Sequence, residues 1–283
     1  MRLEGNLILK KFLIWRIKHI PNKQFIHFVS ILVGVLSGLL AATMKNTTYF
    51  FQQLVTSVNI EYQSLFYFIF PIIGILLTRA IIRYGIKKPV NHGIPGVLYA
   101  LSKRKGILPA YQMFASLFTA PITIGFGGST GLEGPTISGG AGIASNVSRL
   151  LHLNQATRSL LIGCAAAAAI SAIFKAPIAA IIFAIEVFSL DLTLASLLPL
   201  LFASISALLT TYFFFGSIQL LPFELKDVFN LSHFGYYMIF GIVAGLGSVY
   251  FTKMYLWIER FFEIRLEGYQ RVLFGGVCLS ILI

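Results

Sequence analysis

The sequence predicts an all-α polytopic membrane protein in which some helices are broken and do not cross the whole bilayer. Of its 283 residues, 57% are hydrophobic and only 11% are charged, whereas a soluble domain carries about 25% charged residues. Three long runs contain no charge at all, namely 106–132, 192–223 and 228–252. Each run can hold a helix of about 20 residues, the length that crosses a bilayer.

The positive charge is a topology signal and does not indicate a nucleic-acid-binding protein. The net charge of +12 is concentrated in the clusters 10–23, 79–88 and 103–105. With a cytoplasmic N-terminus, spans at 27–50 and 64–82 place all three clusters on the cytoplasmic side, as the positive-inside rule requires. We therefore expect a multi-pass integral protein of the bacterial inner (plasma) membrane.

The elements follow from apolar length and from the positions of glycine and proline. A basic interfacial segment at 1–24, amphipathic over 8–19, precedes a transmembrane domain at 25–283. Within that domain, long apolar stretches predict spans at 27–50, 64–82, 107–126, 159–174, 193–214 and 233–258. Short segments that follow Gly-Pro or Ala-Pro predict helices that do not cross, at 94–101, 133–151 and 176–188. Such interrupted segments are typical of transporters whose helices end near the membrane midplane.

Two of these short helices begin at Gly93-Ile-Pro95 and Glu133-Gly-Pro135. A helix N-terminus presents unpaired N–H groups and the positive end of the helix dipole, which together bind anions. Proline suits the first turn because its missing N–H would be unpaired there. We predict that the two N-termini point toward a common point. For the glycines at 139–142, tight helix packing is an equally good explanation.

Glu133 is the one charged residue between 106 and 148. A carboxylate inside a membrane is costly and is by default a functional hypothesis. At a helix N-terminus its anion competes with a small anion for the same N–H groups, and protonation removes that competition. We therefore interpret Glu133 as a proton-operated gate. The alternative is that Glu133 only caps its helix.

Other function classes find little support. The glycine run has no following lysine, so it is not a phosphate-binding P-loop, and Thr130 breaks the dinucleotide-binding pattern. Cys164 and Cys278 lie in apolar segments and indicate neither a disulfide framework nor a metal site. Nucleophile and metal motifs of intramembrane enzymes are missing, so we expect no enzyme and no cofactor.

Three motifs, in order, resemble those of the CLC chloride channels and chloride/proton antiporters: NHGIP at 91–95, GLEGP at 131–135, and the small-residue run with its following helix at 163–188. The resemblance implies that Glu133 is the external gate. It implies that the chloride path is lined by His92, Gly93, Ile94, Gly131, Leu132 and Gly134. It further implies a homodimer of subunits, each built from inverted repeats, in a lipid bilayer.

Several positions depart from the family pattern. His92 replaces the pore serine, Leu132 replaces the basic residue of the glutamate motif, and Lys175 replaces the turn asparagine without an assigned role. Val187 stands at the position of the internal proton glutamate and cannot carry a proton. The neighbouring Glu186 lies about 100° away on a helix, and we expect it to be structural.

The motifs of the family's second half, including its pore tyrosine, do not occur in the sequence. We therefore expect the N-terminal inverted-repeat half of a CLC-like domain, either as part of a longer protein or as a truncated product. Three functions stay open: a channel-like or weakly proton-coupled anion conductor, an antiporter with another proton route, and a non-transporting subunit that pairs through 176–214.

Overall fold

The computed structural model describes residues 11, 13–16, 18–57, 63–90, 93–216, 231–266 and 268–282. Within these ranges every regular element is a helix, which confirms the all-α class. The chain divides into two compact units, Met1–Leu220 and Leu221–Ile283.

The first unit contains eight of the helices that we number. They are α1 (Asn22–Thr56), α2 (Gln63–Ala80, continuing as a π-helical turn at Ile81–Ile86), α3 (Ile94–Lys103), α4 (Gln112–Gly125), α5 (Glu133–Leu150), α6 (Gln155–Phe174), α7 (Pro177–Phe188) and α8 (Leu194–Phe215). The second unit contains α9 (Phe234–Arg265) and α10 (Gly268–Leu282). In that unit α10 packs on α9 through Phe274, whose ring centre lies 5.8 Å from that of Phe262.

Five predicted spans are confirmed in length and composition. In the described part of the chain, the helices apolar and long enough to cross a membrane are Asn22–Thr56, Ile69–Ile86, Gln155–Phe174, Leu194–Phe215 and Leu231–Arg265. The basic N-terminal segment is also helical at its described positions 13–16 and 18–19.

The predicted span at 107–126 is wrong in length, because α4 begins only at Gln112 and has 14 residues. The preceding residues form a loop that is bonded to α5. The Leu108 N–H donates to Ser145 Oγ at 2.9 Å, and that hydroxyl donates to the Gly106 carbonyl at 2.7 Å. Pro109 has no N–H to give to a helix, so the chain here uses side-chain bonds in place of an extra helical turn.

The core of the first unit is built around α6, which packs against α1, α5, α7 and α8. Its alanine run, Ala165–Ala169, is completely buried. Small side chains allow neighbouring backbones to approach closely in membrane proteins. Close approach also occurs between α1 and α8, where a Cβ on Gly34 would overlap the Ala203 carbonyl. The small-residue packing expected for 159–174 is therefore confirmed.

Candidate functional site

The short helices α3 and α5 begin beside each other. Gly93 is the N-cap of α3, and Glu133 is the first residue of α5. A Cβ added to Gly134 would lie 3.4 Å from the Cα atom of Gly93. The two N-termini are therefore in van der Waals contact, and the predicted meeting of the two helix starts is confirmed.

Local sequence explains why both helices start here. Gly93 adopts φ 88°, a left-handed conformation in which a Cβ would be strained. Pro95 and Pro135 lie in the first turns, where a missing N–H removes no helical hydrogen bond. The N–H groups of Ile94 and Gly134, also in the first turns, have no acceptor within their own helices. Two helix dipoles thus present their positive ends to one place.

A cavity of about 430 Å³ lies against these helix starts. Four of the residues expected to form the gate and the anion path border it, and they are Gly93, Gly131, Glu133 and Gly134. Four threonines also line it, namely Thr78, Thr119, Thr123 and Thr130. Since Ala120 and Ile82 also line it, the wall contains both polar and apolar groups.

The half-buried Glu133 side chain folds back over Gly131. A Cβ built on Gly131 would overlap Oε2 of Glu133, so this glycine leaves the space that the carboxylate occupies. The N-cap of α5 is Leu132, and no side-chain cap bond is present there. Among the described residues, no hydrogen bond reaches the Glu133 carboxylate. These observations favour a movable carboxylate over a fixed helix cap.

The threonine wall was not predicted from the sequence. Thr78 Oγ1 and Thr123 Oγ1 lie 2.8 Å apart and join α2 to α4, and Thr123 also reaches the carbonyl of Thr119 at 3.0 Å. The four-residue spacing of Thr119 and Thr123 in an apolar helix was the available signal, because it places two hydroxyls on one face. The network fixes the wall that faces Glu133.

Ile94 and Leu132 belong to the same two helix starts but do not line the larger cavity. Ile94 packs against the hydrophobic core of the first unit. Leu132 also contacts that core and lines a second, smaller cavity. His92 lies outside the described residues. Val187 packs against the core, whereas Glu186 is exposed. In the described part of the chain, no group of three or more His, Cys, Asp or Glu residues could hold a metal ion.

Comparison with known proteins identifies the relatives of this architecture. A family model described as voltage gated chloride channel matches residues 73–283. A ClcB-like protein of Ralstonia nicotianae is 27% identical over 75% of the chain and 51% of its own length. The H(+)/Cl(−) exchange transporter ClcA of Vibrio cholerae is 24% identical over 80% of the chain and 50% of its own length.

A solved structure shows the same architecture. The crystal structure of a CLC-type fluoride/proton antiporter matches with a TM-score of 0.75 and 25% identity, over 92% of this chain and 64% of that protein. The chain thus spans about half the length of the curated relatives that it matches.

Proposed function

Because the chain belongs to the voltage gated chloride channel family, we propose that it forms part of a path by which chloride or a similar small anion crosses the membrane, with Glu133 as the gate. The observation that carries this proposal is the carboxylate over Gly131, beside two helix N-termini that touch each other. Such N-termini attract anions, and the neighbouring cavity gives an anion room to approach.

The gate follows from competition for one positive site. The ionised Glu133 carboxylate is stabilised near the helix N-termini by the same groups that would hold chloride. A protonated carboxyl carries no charge and loses this stabilisation. The anion then replaces it, so flux rises as the pH falls.

Among the forms of anion transport considered, weakly proton-coupled transport is the one that the residues of this chain support best. A coupled exchanger needs a second proton-carrying group on the path to the other side of the membrane. Val187, at the position where the family's exchangers have that group, packs against the core. The neighbouring Glu186 is exposed on the outer surface of α7.

The test is the voltage at which net current vanishes in liposomes containing the protein. With a tenfold proton gradient and equal chloride on both sides, we expect a shift of less than about 5 mV, against 59 mV for a purely proton-selective path. A larger, stoichiometric shift would support the antiporter hypothesis. Chloride flux no greater than in protein-free liposomes would contradict transport. The remaining hypothesis would then be the non-transporting subunit.

We also propose that the protein works as a homodimer, with α7 and α8 at the contact. Large apolar side chains on these helices are exposed, including Ile178 at 72% and Phe213 at 85%. Surfaces of this kind contact either lipid or another subunit. Cross-linking in a mild detergent should give a dimer band, and a sample that contains only monomer would contradict the proposal.

The chain is a multi-pass membrane protein, and we propose that its N-terminus is cytoplasmic, in a bacterial inner membrane. The three basic clusters lie on the same side of the membrane if the first two spans, α1 and α2, cross in opposite directions. Positive charge of this kind favours the cytoplasmic side.

A further inference from the structure

Two lysines from different helices meet in the smaller cavity, which has a volume of about 10 Å³. Lys45 lies within α1, eleven residues before its end, and Lys175 is the C-cap of α6. Both line this cavity together with Leu132, Thr211 and Phe215. A volume of that size holds about one water-sized particle.

The contacts place both ammonium groups at the end of α8. Lys175 Nζ donates to Thr211 Oγ1 at 3.0 Å and lies 3.5 Å from the Gly216 carbonyl oxygen. Lys45 Nζ lies 5.9 Å from the ring centre of Phe215. Among the described residues, neither ammonium group has a carboxylate partner, and Lys45 has no hydrogen bond.

Two positive charges at one site repel each other, and partial burial strengthens that repulsion. Lys175 lies in the turn after α6, outside the spanning helices, and its pKa is lowered first by burial and then by the charge of Lys45. Charged groups within membrane proteins usually pair with one another or face an ion path. A single anion between the two lysines would satisfy both.

The cavity also explains two departures in the sequence. Leu132 removes the basic residue that precedes the gating glutamate in the resembling family, and Lys175 introduces one at the turn position. The structure places both residues on the same cavity. The two lysines thus place positive charge against Leu132, the residue that directly precedes Glu133 in the sequence.

We propose that Lys45 and Lys175 bind one monatomic anion, such as chloride, in this cavity. The cavity is too small for an organic anion. Among the described residues, the partners of the two cations are uncharged, namely the Thr211 hydroxyl, the Gly216 carbonyl and the rings of Tyr49, Tyr212 and Phe215, so no carboxylate neutralises either charge. The inference goes beyond the proposed function, because binding at this site requires neither transport nor a gate at Glu133.

A capping role alone accounts for only one of the two lysines. Lys175 follows the C-terminus of α6, where a cation is favourable to the helix dipole. Lys45 lies inside α1 and caps no helix. A cap also predicts no dependence on chloride, so anion dependence separates the two explanations.

The experiment is acetylation of the full chain in detergent with a water-soluble reagent, followed by mass spectrometry of each lysine. Chloride is compared with gluconate, a large organic anion, at equal ionic strength. A bound anion favours the unreactive ammonium form, so acetylation of Lys45 and Lys175 should slow in chloride. At a chloride concentration ten times the dissociation constant, the unoccupied fraction falls about elevenfold, and the rate should fall nearly in proportion.

Matched variants show whether one anion is shared. Lys45→Met keeps the side-chain length, and we expect it to abolish chloride protection of Lys175. Lys175→Asn suits the left-handed φ of 60° at this position because Asn tolerates that conformation, and it should abolish protection of Lys45. Lys23→Met, 22 residues away on α1 or about 33 Å at 1.5 Å per residue, should leave both protected.

Equal acetylation of Lys45 and Lys175 in chloride and gluconate would overturn the proposal. Chloride protection of Lys175 that persists in Lys45→Met would also overturn it, since the site would then need only one lysine. Neither outcome depends on anion flux, so each can be distinguished from a failure of the proposed transport function.

Discussion

Glu133→Gln should leave anion flux open at neutral pH and remove most of its pH dependence between pH 5 and 8. Glutamine resembles the protonated carboxyl, which carries no charge and does not compete with the anion at the helix N-termini. The protonated fraction of one carboxyl falls by up to tenfold for each pH unit above its pKa. Flux through the unmodified protein should fall accordingly as the pH rises, whereas flux through the variant should change by less than about twofold.

Chloride efflux from liposomes measures this difference, and a second carboxylate, that of Glu186, provides the control. Glu186→Gln makes the same chemical change at an exposed position of α7 and should keep the original pH profile. Glu133→Asp keeps the charge but is shorter by one methylene, so its profile should differ from both. A helix cap at Glu133 predicts a loss of about 1 kcal/mol or less in stability with the pH dependence intact. A Glu133→Gln variant with the unmodified profile would therefore contradict the gate.

His92 requires its own control because an unperturbed histidine titrates near pH 6.5, inside the same window. Any pH response that survives in Glu133→Gln should disappear when His92→Ser is added. A response that persists in the double variant would show that a further group senses protons, and it would contradict a pH dependence set by Glu133 and His92.

Two glycine substitutions beside Glu133 should change flux in opposite directions. The methyl group of Gly131→Ala would occupy the position of Oε2 of Glu133, so the carboxylate must rotate away. A displaced rotamer costs about 0.5–1.5 kcal/mol. This cost lowers the population in which the carboxylate lies over Gly131 by roughly twofold to tenfold. Chloride flux at pH 7.5 should rise by a similar factor.

Gly134→Ala should lower flux at every pH. Its methyl group would lie 3.4 Å from the Cα atom of Gly93, in the gap between the two helix N-termini. Neither glycine has a positive φ, and alanine is the better helix former at position 134 by up to about 1 kcal/mol.

Unchanged thermal unfolding would show that both variants are folded. An unmodified flux profile in Gly131→Ala would disprove the closed position of the Glu133 carboxylate over Gly131.

The helix pattern could be predicted because glycine, proline and apolar length act locally. Pro95 and Pro135 marked the starts of α3 and α5, and the alanine run marked the buried face of α6. The start of α4 could not be predicted in this way, since it depends on Ser145, a residue 37 positions beyond Leu108. Apolar composition at 107–111 gave no indication of that bond.

The candidate site was predictable in its backbone and less so in its side chains. Gly93 and Glu133 were identified because their residue types have a specific role at a helix start. The wall residue Thr78 and the cavity shared by Lys45 and Lys175 depend on which helices become neighbours. That information is not contained in the spacing of a single segment.

The packing of the first unit has a consequence for how fast the proposed gate would respond. Ala165–Ala169 have no exposed surface, and Gly34 already lies against the backbone of α8, so neither α6 nor α1 has room to slide. The opening proposed for Glu133 would need only a change of side-chain rotamer, which takes picoseconds to nanoseconds when unhindered, whereas domain motions take microseconds to milliseconds. The frequency of opening would then follow the rate at which protons reach one carboxylate. That frequency would therefore depend on the concentration of buffer.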